Sequence, residues 1–350
     1  DSNINVIGPR KELAMIESSK TFTRNLQKEF NIPGAPKYRS FSTISGVKDY
    51  FIELENNFVI KYDGLAGGKG VKIFGEQINT IADGLSFCES IINKGGSFLI
   101  EEKFIGEEFS LMSFCDGSNI KHMPVVQDHK RAFDGDVGPN TGGMGTYSDS
   151  NHSLPFLKNS DIENAKKINA LTLKALKTKT GLDYKGILYG GFMAVNDGVK
   201  LIEYNARFGD PEAINVLSIL KTDLIDICES IILGKLDSCK VEFYNKATVC
   251  KYAVPNGYPD NPIKNEPINI DAVLNMDNIY FASVDLLNDT LIETGSRTLA
   301  SISIEDSIFD AEKKAEKYIS SVAGPLFHRS DIGTEKIINK KIAHMKDLRC

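Results

Sequence analysis

A turn signal at Asn196-Asp197-Gly198 constrains this chain more than any other feature. Residues of that kind adopt the left-handed backbone that a tight hairpin needs, so the segment from 187 to 204 reads as a β-hairpin. Leu201 and Ile202 supply the apolar lead-in of its second strand. Glu203, Asn205 and Arg207 follow at i, i+2 and i+4. Side chains alternate faces along an extended strand, which predicts all three on one face. A hard anionic oxygen, a neutral amide oxygen and a fixed cation would then stand side by side. Magnesium and the phosphates it bridges suit that set. A solvated edge strand would show the same residues, and the remaining segments decide between the two.

With 350 residues the chain can build two or three domains around a large core. Its net charge of −6 gives no basic footprint for nucleic acid, so phosphate-binding cations must be local clusters. No apolar run approaches the roughly 20 residues that cross a bilayer, and no secretory signal pattern is present, which predicts a cytoplasmic protein without a membrane partner. Cys88, Cys115, Cys228, Cys239, Cys250 and Cys350 form no CxxC pair, and the five histidines have no metal-ligand spacing. Reduced thiols are expected rather than a disulfide framework or a zinc site.

Residues 10 to 29 have helical spacing through Leu13, Ile16 and Phe22, ended by Pro33 and Pro36. From about 38 to 110 the pattern is mixed, with strands at 58–61 and 97–101, and further strands follow over 109–127. A helix is predicted over 161–178 with Asp161 as N-cap and Gly181 after its end. Another is predicted over about 212–233. Beyond 240 come short strands at 247–254, 279–285, 290–294 and 299–304, then an amphipathic helix at 307–322, the pattern of a small α+β domain.

Two glycine-rich loops carry the phosphate-type chemistry. The first runs from Lys61 through Gly64, Gly67, Gly68, Lys69 and Gly70. Glycines let backbone N–H groups approach anionic oxygens with no Cβ in the way. It is not a Walker A loop, because Gly70 stands where Ser or Thr is required. The second loop, 134–145, lies behind Lys130 and Arg131, with Asp134 and Asp136 in it and five glycines in the eleven residues 135–145. Conformational demand around a small ligand explains that density better than a surface turn does. His129 beside it is expected to be a structural hydrogen bonder. Between the loops, the segment Glu101 to Glu108 could offer backbone hydrogen bonds to a purine and a carboxylate to a ribose, although a charged surface turn looks the same.

In this order the segments resemble the ATP-grasp superfamily, and within it the phosphoribosylamine–glycine ligases. The likeness rests on Lys61 to Val71, on Gln127 to Gly145 with its Gly-Pro-Asn-Thr-Gly-Gly-Met-Gly core, and on Arg207 to Glu212. It continues more weakly through Gly257-Tyr258-Pro259 and Arg329 to Gly333. The resemblance implies an α/β and α+β multidomain chain. Residues 19–240 would form an ATP-grasp domain with a lid at about 38–108, and 241–350 a C-terminal α+β domain. Residues 1–18 would be the remnant of an N-terminal α/β domain of which only Ile4 to Pro9 supplies a strand and turn.

The resemblance also implies an activity: ATP-dependent joining of glycine to 5-phosphoribosylamine through glycyl phosphate, in purine synthesis. Lys20, Lys61 and the loop Gly64 to Gly70 would meet the ATP phosphates, and Glu101, Phe104 and Glu108 the adenosine. Glu203 and Asn205 would bind Mg²⁺, for which Mn²⁺ substitutes. Lys130 and Arg207 would be catalytic, with Asp134, Asp136, Asn140, Thr141 and Asp210 on the substrates. Ile214 in place of a usual Gln, and Gly295-Ser296-Arg297 in place of Gly-Gly-Arg, depart from the family pattern. The lost front domain predicts ATP binding by this chain but poor ligation. Two other readings stand beside this one, a different ATP-grasp carboxylate–amine ligase and a nucleotide-binding module without turnover.

Overall fold

The structure is a computed structural model that describes residues 4–66, 70–273 and 275–350. Three antiparallel sheets organise it. The lid sheet runs in the order Tyr38–Phe41, Phe98–Glu102, Phe58–Tyr62, Val71–Ile73. Alternation decides its two faces. Phe58, Ile60, Phe98 and Ile100 pack under the helices Val47–Glu53 and Ile81–Ile92, and Phe51 stacks on Phe58 at 3.9 Å. Burial of each such side chain contributes about 1.5–3 kcal/mol. Lys61 and Glu101 project from the opposite face, on neighbouring strands.

The central sheet runs Gly198–Asn205, Lys185–Val195, Glu107–Asp116, Ile120–His122. One face packs Leu111, Leu188, Leu201 and Tyr204 against the helix Asn159–Thr180. The other packs Met112, Phe114 and Ile187 against the helix Leu224–Leu233. The turn at Asn196-Asp197 is where the sequence places it. The pairing slips at Gly191/Phe192, where Gly191 faces Glu203 and Phe192 faces Leu201. Ile202 is therefore an extra residue, a β-bulge. It explains why Leu201 and Tyr204, three apart, enter the same core.

Several helix boundaries differ from the sequence reading. The expected helix over 10–29 is two, Lys11–Ser18 and Lys20–Glu29, because Ser19 turns extended and caps the second through its side chain. Asp161 is not the N-cap of the long helix. It lies inside Asn159–Thr180, accepts from the Lys158 N–H at 2.8 Å and pairs with Arg349 at 2.9 Å. Gly181 does end that helix in a left-handed conformation. The stretch 212–233 breaks into Glu212–Ser218 and Leu224–Leu233, the second capped by Asp223.

The third sheet runs Ile279–Phe281, Leu299–Glu305, Ala247–Pro255, Gly145–Ser148, Gln127–Asp128, with Leu326–Phe327 also paired to Ala247–Pro255. The C-terminal part of the chain thus shares a sheet with strands that flank the second glycine-rich loop. The helix Ile308–Ile319 covers it, and Lys251, fully buried beneath, bonds Glu312 at 2.8 Å and Glu316 at 2.6 Å. The last helix, Glu335–Leu348, returns Ile337, Ile338 and Met345 to the core that holds Leu111 and Leu188.

Candidate functional site

A cleft lies against the central sheet, with Glu108, Ser110, Asp128, Lys130, Tyr189 and Glu203 among its lining residues. Glu203 and Asn205 follow the bulge, opposite in alternation to the buried Tyr204. Burial would raise the Glu203 carboxyl, but Lys130, Lys61, Lys20 and Arg24 hold it below the usual range. Arg207 does not share their face. The strand ends at Asn205, and Arg207 turns to Glu17 at 3.1 Å and lines a separate apolar cavity with Phe114, Phe208 and Ile231.

Lys61 is buried, 2.7 Å from Glu101, and donates to the Ile202 carbonyl at 3.0 Å. Glu101 is also buried. Arg24 grips it through Nε at 2.7 Å and Nη2 at 3.0 Å. The two members of the Lys61–Glu101 pair respond differently. Burial opposes the charge on Glu101, yet Arg24 and Lys61 hold its carboxyl at about 2. Lys61 is lowered, because burial outweighs the pull of Glu101 and Arg24 repels it. Both carboxylate oxygens being taken, Glu101 is a partner of Lys61 rather than a free contact for a ribose.

Lys20 donates to the Gly64 carbonyl at 3.0 Å, and Ser19 Oγ donates to Asp63 at 3.1 Å. The Ser19-Lys20 pair therefore holds the front of the first glycine loop. At its far end the Tyr62 N–H donates to the Gly70 carbonyl at 2.8 Å. Gly67, Gly68 and Lys69 lie outside the described residues. Phe104 sits half-buried in the connection between Phe98–Glu102 and Glu107–Asp116.

Lys130 lies 3.2 Å from Glu108, whose charge raises it most, with Glu203 and Asp128 adding. Asp128, which the candidate set from sequence omits, has a buried Oδ1 with no hydrogen-bond partner among the described residues. Burial raises its carboxyl well above the ordinary value, and Glu212 raises it further. Glu212 is itself raised by burial and accepts from the Tyr189 hydroxyl at 2.8 Å. One cleft therefore holds a cation, Lys130, beside a buried acid, Asp128.

Of the other expected substrate residues, Asp134, Asp136, Thr141 and Asp210 are bonded within the protein. Asp134 accepts from the Ser330 N–H at 3.0 Å and from its hydroxyl at 2.6 Å. Asp136 pairs with Arg329 at 2.7 Å. Thr141 Oγ1 donates to the Lys130 carbonyl at 2.9 Å, and the Asn140 backbone pairs with Arg131. Asp210 is held by Arg297 at 2.9 Å and by the Tyr252 hydroxyl at 2.9 Å. These residues shape the second glycine loop and fasten it to the C-terminal part. Their carboxylates and the Thr141 hydroxyl match a ligand-binding set in sequence, but Ser330, Arg329, Arg297 and the Lys130 carbonyl take them. His129 is buried, with Nδ1 3.3 Å from the Gly145 carbonyl, and burial with Lys341 nearby pushes it down to about 3. It is structural, as expected.

Solved structures share this architecture. One is a biotin carboxylase–β-γ-ATP complex from Campylobacter jejuni, TM-score 0.71 and 13% identity, covering 98% of this chain and 73% of that one. At that identity the likeness is one of fold alone. Residues 18–213 match the family model for the phosphoribosylglycinamide synthetase ATP-grasp (A) domain, and residues 248–335 match that for its C domain. The chain belongs to the phosphoribosylglycinamide synthetase family.

A phosphoribosylamine–glycine ligase of Methanosarcina barkeri is 46% identical over 349 residues, covering 100% of this chain and 80% of the relative. That of Methanococcus vannielii is 48% identical, covering 99% and 81%. The crystal structure of the Thermotoga maritima phosphoribosylamine–glycine ligase superposes with TM-score 0.82 at 30% identity, covering 94% of this chain and 82% of that one. No described helix is long and apolar enough to cross a membrane.

Proposed function

We propose that this chain is an ATP-dependent ligase that joins glycine to 5-phosphoribosylamine, giving glycinamide ribonucleotide through glycyl phosphate, and that it acts in the cytoplasm. The observation that carries the reading is that Glu203, Asp128 and Lys130 line one cleft, with Lys61 near enough to hold Glu203 ionised, in a chain of this family. Residues 19–240 would act as the ATP-grasp domain and 241–350 as the C-terminal domain.

Mg²⁺ fits the residues present. Glu203 is held ionised and Asn205 offers an amide oxygen, while among the described residues no three His, Cys, Asp or Glu side chains gather to hold a metal ion. A two-ligand protein site suits magnesium, which fills its other positions with phosphate and water. When bound, it would neutralise charge on the phosphates.

Lys61 and Lys20 would meet the phosphates under the loop Gly64 to Gly70, with Phe104 and Glu108 toward the adenosine. Asp128 would accept a hydrogen bond from the glycine ammonium while Lys130 draws the carboxylate, an arrangement that their places in one cleft support. A glycine oxygen attacks the γ-phosphorus and ADP leaves. The amine of phosphoribosylamine then attacks the carbonyl, phosphate leaves, and the nitrogen gives up a proton. Phosphorylation is needed because a free carboxylate is a poor acyl donor, and a closed cleft protects the acyl phosphate from water.

A coupled ADP-release assay with freshly made phosphoribosylamine tests the reading. Turnover should require glycine, with alanine a far poorer substrate. ADP release that ignores glycine would refute it.

A further inference from the structure

Arg24 belongs to no expected site, yet it touches three parts of the molecule. It sits on the helix Lys20–Glu29 at 2% exposure. Nε and Nη2 grip Glu101 on the lid sheet, Nη1 bonds Gln27 at 2.8 Å, and Nη2 also donates to the Ile202 carbonyl at 2.7 Å. Every guanidinium nitrogen is engaged within the protein, so Arg24 is not a ligand contact.

We infer that Arg24 is a positioning residue for phosphate binding, which offsets Glu101 so that Lys61 keeps an unspent charge and which pins the bulge that turns Glu203 into the cleft. This rests on the reading that Lys61 meets the nucleotide phosphates. Charge counting supports it. Arg24 and Lys61 contribute two positive charges and Glu101 one negative, leaving a buried cluster with one net positive charge. Without Arg24, Lys61 and Glu101 neutralise each other and little remains to attract an anion. Burial opposes the cation on Lys61, Glu101 favours it and Arg24 repels it. An arriving phosphate offsets the burial and the repulsion. The Ile202 carbonyl is freed from regular strand pairing by the bulge, and Arg24 and Lys61 both donate to it. The metal-side strand and the lid are thereby locked to the same helix.

The test is Mg·ATP binding by calorimetry, with the melting temperature as a check on folding. R24Q should weaken binding about tenfold, the scale of a lost charge-assisted interaction. The double variant R24Q/E101Q restores one net positive charge on Lys61 and should bind within about threefold of the parent. A merely structural Arg24 would leave the double variant as weak as R24Q or weaker, and that result would overturn the inference. If R24Q fails to fold, the double variant, which leaves no buried charge of Glu101 without a partner, carries the test alone, and a tenfold loss there is contrary. K61Q separates the two layers. Unchanged affinity in K61Q removes the reading of Lys61 itself, whereas a loss in K61Q with none in R24Q removes only the role given to Arg24.

Discussion

Asp210 and Arg297 meet at 2.9 Å across the two main parts of the chain. Arg297 also donates to the backbone carbonyls of Gly142 at 2.8 Å and Asp210 at 3.0 Å, and it lies 4.6 Å over the Tyr252 ring. One guanidinium thus fixes both the second glycine loop and the turn after Asn205. Arg297→Ala should destabilise the protein by about 2–3 kcal/mol, since it leaves several acceptors unpaired. Arg297→Lys should recover only part, because an ammonium lacks the planar fork. Urea unfolding of the two variants measures this, and an unchanged midpoint in Arg297→Ala would contradict it.

Glu203→Gln separates the metal from the nucleotide. The substitution keeps shape and removes the charge on which four cations converge. Affinity for ATP at saturating Mg²⁺ should fall by about tenfold or more. Without Mg²⁺, ATP should bind as well as to the parent or better, because a nearby anion is gone. Equal losses with and without Mg²⁺ would show that Glu203 holds structure rather than metal.

The Asp128–Glu212 pair predicts a pH dependence of known sign. Both carboxyls are raised in the folded protein, Asp128 from an ordinary 3.8 by burial first and Glu212 second. A raised acid adds stability when protonated and loses it as pH climbs through the folded value. Asp128→Asn stays neutral throughout. Its melting temperature relative to the parent should therefore rise between about pH 5 and pH 8. A difference that stays flat with pH would show that Asp128 is not an unsatisfied acid.

Gly106 sets the approach of the segment that carries Phe104 and Glu108. A Cβ there would stand 1.8 Å from the Ala194 carbonyl oxygen, which is backbone and cannot swing away. Gly106→Ala must push the connection off the central sheet, at a cost of about 1–3 kcal/mol. ATP affinity should fall more than affinity for inorganic pyrophosphate, since only the adenosine side moves. Calorimetry with both ligands decides, and parallel losses would place Gly106 outside the nucleotide site.

The sequence made local chemistry legible and left long-range partnership hidden. The hairpin turn at Asn196-Asp197 follows from its turn residues, and the shared face of Glu203 and Asn205 from alternation. Arg207 misleads because spacing does not reveal that the strand stops at Asn205. Asp134 and Asp136 have the residue types of a binding loop, but Ser330 and Arg329, almost 200 positions away, claim them. Asp128 looks like any acid in its run until its Oδ1 is seen buried without a partner among the described residues. Arg24 sits among ordinary helix residues, and its partners lie 77 and 178 positions away.

The central claim is that a glycine oxygen attacks ATP in this cleft. Turnover with carboxyl-¹⁸O glycine, ATP and phosphoribosylamine tests it most directly, with the released phosphate read by mass spectrometry. Glycyl phosphate chemistry carries one glycine oxygen into each phosphate, so labelled phosphate should appear in step with ADP. Phosphate released without label, at the same rate as ADP, would contradict the account.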